Sequence, residues 1–221
     1  MDLTAIIART ISELPQDEHR KYIGASSIGH ACSRAIWYGF HGFERQPIKP
    51  NVRVTFDIGK RLETLPIEYL RKTGFHVTEP TKENNWLFYQ DKDAPIFQGH
   101  ADGLLLMSQE KPAILEIKTA KNSLFQIFKN KGLRVWSPIY YAQVQAYMGM
   151  SGYKKAALIA VNKDTSEFHH EWVNFDDMFY SELKIKALAI STIDEPPERI
   201  NKSPLFLACQ NCAYKGVCHG V

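Results

Sequence analysis

Acidic residues are missing from one long internal stretch. From Ile117 to Lys163 there is no Asp or Glu, against eight basic residues: Lys118, Lys121, Lys129, Lys131, Arg134, Lys154, Lys155 and Lys163. The whole chain carries a net charge of only +3, so the feature lies in the distribution of charge. It suits a track for a phosphate backbone, or it is an ordinary solvated basic face. Long apolar runs are missing too. No run approaches the roughly eighteen apolar residues that suggest a transmembrane helix. Met1-Asp2-Leu3-Thr4 lacks the basic flank and apolar core of a secretion signal, so a cytoplasmic protein without membrane association is expected. There is no internal repeat, and 221 residues fit one domain with a substantial core.

Cysteine is scarce, with four in the chain, and a chain of this size does not need a disulfide scaffold. Cys209-Gln210-Asn211-Cys212 is a C-x-x-C string, and five residues separate it from Cys218. Cys32 stands nearly the whole chain away. The pattern favours metal binding over disulfides. Four thiolates can close a tetrahedral zinc site or hold an iron–sulfur cluster. Zinc ribbons usually use two C-x-x-C pairs, whereas clusters tolerate a split of one distant cysteine and three near ones.

What the sequence does contain centres on Gly99-His100-Ala101-Asp102-Gly103, with Glu116-Ile117-Lys118 thirteen residues later. Apolar runs Leu104–Met107 and Ala113–Leu115, with Gln109-Glu110-Lys111-Pro112 between them, read as a β-hairpin. Antiparallel pairing places Asp102 and Glu116 side by side. Glu116 and Lys118 have equal parity and share a strand face. Carboxylates suit hard cations such as Mg²⁺ or Mn²⁺, and a nearby lysine can orient or deprotonate a water or steady a phosphate. The alternative is a solvated hairpin with ordinary surface charges.

Around this centre, Leu3 to Leu14 has helical spacing that stops at Pro15. Ser26 and Ser27 can cap a second helix running to Gly39 or Gly42. A third helical pattern spans residues 54–73, with a kink or break expected at Pro66. In it, Gly59 allows a close helix–sheet contact that could turn Glu63 inward; otherwise Glu63 is an exposed helix glutamate. Short β-like segments at 75–77, 86–89 and 96–97 lead into the hairpin. Ser123 can cap a helix through Lys129, and Ser137-Pro138 starts another that carries Gln143 and Tyr147 on one face. Trp136, just before it, is a candidate for base stacking. A strand at 156–161, its partner at 168–173 and a helix at 179–190 complete the body.

These motifs resemble the PD-(D/E)xK nuclease superfamily, in particular its RecB-like iron–sulfur exonuclease branch. That branch includes the CRISPR-associated Cas nucleases and the AddB nuclease domain, and lambda exonuclease is also similar. Ala101 stands where the name motif has proline. The resemblance implies an α/β fold: a restriction-endonuclease-like core with a mixed central sheet flanked by helices, its ends joined by a four-Cys metal cluster. It implies a single nuclease domain over 1–221, made of N-terminal helices with one cluster cysteine (1–50), the nuclease core (51–195) and a C-terminal cluster segment (196–221). Glu63, Asp102, Glu116 and the Ile117 backbone carbonyl would hold Mg²⁺ or Mn²⁺, with Glu68 a weaker substitute for Glu63. Lys118 would handle the water, and Gln143-x-x-x-Tyr147 would match the Q-x-x-x-Y motif beside the metal. Cys32, Cys209, Cys212 and Cys218 would hold a [4Fe-4S] cluster, with structural zinc as the alternative. The implied function is a metal-dependent exonuclease on single-stranded DNA or DNA ends, in recombination, repair or CRISPR adaptation. A recombination or CRISPR-adaptation protein could be its partner, and self-association is left open. The competing readings are an inactive DNA-binding module and an interaction subunit organised by the cysteine cluster.

Overall fold

A computed structural model describes residues 1–15, 19–106 and 111–220. Two sheets, not one, form its framework. The N-terminal part runs α1 (Leu3–Glu13), β1 (Ile23–Gly24), α2 (Ala25–Ile28), α3 (Ser33–Phe40), α4 (Pro50–Leu62) and α5 (Thr64–Lys72). Four short strands follow: β2 (His76–Thr78), β3 (Phe88–Gln90), β4 (Phe97–His100) and β5 (Gly103–Leu106). Then come β6 (Ala113–Ala120), α6 (Asn122–Lys131), α7 (Leu133–Trp136) and α8 (Pro138–Ser151). The chain ends with β7 (Lys155–Asn162), β8 (Phe168–Asn174), α9 (Asp177–Thr192), α10 (Leu207–Gln210) and α11 (Lys215–His219).

The larger sheet has the order β2-β5-β6-β7-β8, with only β6 and β7 parallel; the smaller has the order β1-β4-β3. The expected hairpin is present, because β5 pairs antiparallel with β6 and sets Gly103 opposite Leu115. Its turn residues Gln109 and Glu110, and Met107 before them, lie outside the described residues. The chain leaves the small sheet at His100 and enters the large one at Gly103. Asp102 therefore stands at the seam between them.

Strand parity sorts β6 onto two layers. Leu115 and Ile117 join Ile67, Val77, Leu105, Ala157 and Val161 in a cluster to which α5 contributes. Ile114 and Ala120 face the larger cluster built around α8 and α9. Helix α8 is buried at every residue from Ala142 to Met148, as expected of a helix enclosed on all sides. Its Gln145 is held by Asn174 and Asp176, with Nε2 donating to the Asn174 carbonyl at 2.9 Å and Oε1 accepting from the Asp176 amide at 2.9 Å. Gln145 is thus a buried polar residue with its needs met.

Two expected helices are broken, each for a visible reason. The second stops at Ile28 and restarts at Ser33. Lys186 Nζ donates to the carbonyls of Ile28 and His30, at 2.8 and 2.7 Å, and so caps the first piece. The third begins earlier than expected, at Pro50, and is interrupted at Glu63 rather than at Pro66. The ring of Pro66 conflicts with the carbonyl four residues back, at Leu62, where α4 ends. The helix after β6 starts at Asn122, without a Ser123 cap, and runs to Lys131. Its first amide is taken by Asp164 Oδ2 at 2.6 Å.

The segment expected as a strand at 86–89 begins instead as a 3-10 turn, Asn85–Leu87. Asn85, Trp86 and Leu87 have φ of 52°, 55° and 46°. Left-handed backbone in residues other than glycine costs about 1–2 kcal/mol each.

Helices α2 and α8 meet closely at Gly29. A Cβ there would lie 2.7 Å from Ile139 Cα and 2.8 Å from Ala142 Cβ. Gly29→Ala is expected to lower the stability to urea by about 1–3 kcal/mol, since backbone cannot yield as a side chain would. An unchanged urea midpoint would mean that the two helices can separate freely.

Candidate active site

The buried strand β6 carries Glu116 and Lys118 on its α8 face, as their spacing predicts. Glu116 is 0% exposed. Its Oε1 lies 2.5 Å from Lys118 Nζ. Beyond that ion pair, neither carboxylate oxygen has a hydrogen-bond partner among the described residues. Burial pushes the Glu116 carboxyl up to about 8, with further upward pressure from Asp102 and Glu63 that the lysine only partly offsets. Burial works against the Lys118 ammonium, but the carboxylates of Glu116 and Asp102 outweigh it and hold the lysine above its ordinary range. The Lys118 ammonium also sits 5.3 Å from the Tyr140 ring centroid, within cation–π range.

Asp102 Oδ2 accepts the backbone N–H of Ile117 at 2.8 Å, which ties the seam between the sheets to the neighbour of Glu116. The structure thus connects the amide of Ile117 to the site. Glu63 caps the end of α4. That helix comes close to β6 at Gly59, where a Cβ would be 3.1 Å from Thr119 Oγ1. Burial raises the Glu63 carboxyl, the Asp102 charge raises it further, and Lys118 and Lys60 oppose them. Glu63, Asp102 and Glu116 therefore share one electrostatic neighbourhood, whereas Glu68 is exposed.

Gln143 and Tyr147 meet as their spacing predicts, with Gln143 Nε2 donating to the Tyr147 hydroxyl at 3.0 Å. That hydroxyl donates in turn to the His100 carbonyl at 2.5 Å. Burial, with the Glu116 charge next, raises the Tyr147 phenol well above its usual range. It is therefore a fixed donor that holds the end of β4 two residues before Asp102. Gly99 permits this arrangement: a Cβ there would meet the Tyr147 ring at 2.7 Å and Ala25 Cβ at 2.8 Å. No side-chain motif points to the His100 carbonyl; the glycine beside it, Gly99, is the local signal that backbone and side chain come close here.

The basic stretch is not free of acids in space. Lys129 pairs with Glu167 at 3.4 Å. Asp164 takes the Asn122 amide, and Glu171 takes the Leu133 amide at 2.7 Å. The loop after β7 and the strand β8 fold these acids back onto the stretch. Trp136 stacks on Phe128 at 4.7 Å and meets Tyr140 edge-on at 5.2 Å, so its ring is used in packing.

Residues 16–154 match the model of the YqaJ-like viral recombinase domain. The chain belongs to that family. It is a PD-(D/E)xK nuclease family related to lambda exonuclease. No curated protein matches the chain. Among solved structures, the alkaline exonuclease LHK-Exo from Laribacter hongkongensis is similar at 16% identity and a TM-score of 0.57, over 78% of this chain and 87% of that one. LHK-Exo in complex with dAMP aligns at 18% identity and a TM-score of 0.57, over 76% and 85%. The protein SSO0001 aligns at 15% identity and a TM-score of 0.57, over 99% and 96%. At these identities the likeness is one of fold. The family description speaks of viral recombination, and nothing in it concerns CRISPR adaptation.

All four cysteines are free thiols, and all line one cavity of about 1140 Å³ between α3 and the C-terminal segment. No Asp or Glu is among its lining residues. Burial raises the Cys209 thiol, with Cys32 and Cys218 adding to the effect. Cys212 is raised by burial and by the same neighbours. The expected four-cysteine cluster joining the chain ends is not shown, however. Among the described residues, no three His, Cys, Asp or Glu side chains are gathered around one ion position, here or at the carboxylates. At the carboxylates, Lys118 engages Glu116 and the Ile117 amide engages Asp102. The donor set still suits a hard divalent cation, because it includes a buried carboxylate with unsatisfied oxygens.

A proton and a cation compete for Glu116. Because burial raises its carboxyl to about 8, protonation competes with a cation for Glu116 around neutral pH. Apparent Mg²⁺ or Mn²⁺ affinity, measured by titration calorimetry, is expected to weaken about tenfold per pH unit below that value. A flat profile between about pH 6 and 8 would mean that Glu116 is already ionised.

Proposed function

We propose that this chain is a divalent-metal-dependent DNA exonuclease, acting on single-stranded DNA or DNA ends in recombination of the viral type. The observation that carries this reading is the buried Glu116 carboxylate, with unsatisfied oxygens, facing Asp102, Glu63 and Lys118 in a chain of a nuclease family. Glu63, Asp102, Glu116 and the Ile117 carbonyl would hold Mg²⁺ or Mn²⁺. Such a cation, when bound, polarises a phosphate and lowers the pKa of a water. Lys118 keeps its proton at Nζ, because the carboxylates stabilise the ammonium. It therefore orients the water and counters phosphate charge, and leaves deprotonation to other groups. Tyr147 and Gln143 fix the end of β4 that delivers Asp102.

Linear DNA labelled at the 5′ or 3′ end, single- or double-stranded, tests this reading. Metal-dependent release by the wild type should fall at least about 10²-fold in Asp102→Ala and in Lys118→Ala, on the scale of losing a positioned electrostatic group. The order of label release would give the polarity. Equal rates in all three proteins would remove the nuclease assignment.

We also propose that the cysteine cavity houses a [4Fe-4S] cluster held by Cys32, Cys209, Cys212 and Cys218. Four free thiols lining one acid-free cavity support this, as does their mutual effect on one another's ionisation. Anaerobically purified protein should contain about four iron and four sulfide per chain and lose both in Cys212→Ser. One zinc per chain and no sulfide would select the zinc alternative.

A further inference from the structure

We propose that Trp86 is a stacking platform for a nucleobase of the strand that enters the active site, a role that rests on the nuclease reading above. Trp86 occupies the middle of the left-handed turn Asn85–Leu87, and the surrounding structure enforces this conformation. Asn84 Oδ1 accepts the Thr81 amide at 2.8 Å, and its Nδ2 donates to the Glu79 carbonyl at 2.7 Å. The Trp86 amide donates to the Thr81 carbonyl at 2.7 Å. Leu87, the next residue, is only 5% exposed and anchors the turn in the interior. Trp86 itself is 48% exposed.

The turn is fastened directly to the motif strand. The Ala101 amide donates to the Leu87 carbonyl at 3.2 Å. His100 Nδ1 lies 3.1 Å from the Trp86 carbonyl. Two residues beyond His100 is Asp102. The exposed His100 ring also lies 5.2 Å from Phe88. Strained, over-determined backbone, hydrogen-bonded to the segment that leads into Asp102, thus holds a large aromatic side chain half in solvent, a pattern that points to function.

The other tryptophans are occupied. Trp37 is 3% exposed, and its Nε1 donates to the Ile193 carbonyl at 2.9 Å. Trp136 packs between Phe128 and Tyr140. Trp172 has Lys155 over its ring at 5.6 Å. Trp86 is about half exposed and has no aromatic or cationic ring partner among the described residues. A nucleobase suits an exposed indole, because every base has a π-face and stacking tolerates any sequence.

The test measures KM and kcat on an end-labelled single-stranded oligonucleotide for wild type, Trp86→Phe and Trp86→Leu, with thermal unfolding of each as a control. Stacking predicts that KM rises about tenfold in Trp86→Leu and less than about threefold in Trp86→Phe, with kcat nearly unchanged. An abasic site scanned along the oligonucleotide should weaken the wild type at one position and leave Trp86→Leu unaffected there. Equal KM values in active wild type and Trp86→Leu, or equal abasic profiles, would overturn the role of Trp86 alone. A wild type that neither binds nor cleaves DNA would overturn this role together with the nuclease reading.

Discussion

A carboxylate with no accessible surface, paired with a lysine from its own strand, constrains everything built around it. Withdrawing two charges from water costs several kcal/mol per ion, which their attraction seldom recovers in full. The fold has arranged itself to tolerate Glu116 and Lys118 in its interior. Strand β6 is protected on both faces, α8 is enclosed on all sides, and the Tyr140 ring covers the ammonium. Tyr147 and the Asp102–Ile117 contact pin the neighbouring chain ends. A core selected for stability alone would place an apolar residue at 116.

The placement of the inner candidate residues was legible in the sequence because it follows from short-range rules. Parity puts Glu116 and Lys118 on one face, hairpin pairing brings Asp102 beside them, and a four-residue interval sets Gln143 against Tyr147. Glu63 was legible for a subtler reason, since Gly59 marked the place where helix and strand come close. The features that escaped depend on contacts between distant segments. The charge of the basic stretch is offset by Asp164, Glu167 and Glu171, whose places on and before β8 no local pattern reveals. The helix break at Gly29 depends on Lys186, which lies far along the chain. The division into two sheets turns on where β4 ends and β5 begins, whereas the sequence pattern offers only a short β-like segment at 96–97 and an apolar run at 104–107.

Tryptophan shows the same limit. Trp136 attracted attention because it sits in the basic stretch, yet its ring is spent on its own neighbours. Trp86 appeared to belong to a strand, and its left-handed conformation comes from hydrogen bonds of Asn84 and Thr81 that only the folded backbone reveals. The cysteines are an intermediate case. All four line one cavity, but among the described residues no three of their thiols are gathered around one ion position, so the expected cluster is not shown.

The parallel pairing of β6 with β7 reaches across the whole α6–α8 connection. Such pairs form late, because the connecting chain must close before the contact repays its entropy. Until then β6 lacks this neighbour, and Glu116 lacks the full enclosure that raises its carboxyl in the folded protein. The topology therefore brings Glu63, Asp102, Glu116 and Lys118 into one neighbourhood through a strand pairing that spans a long connection.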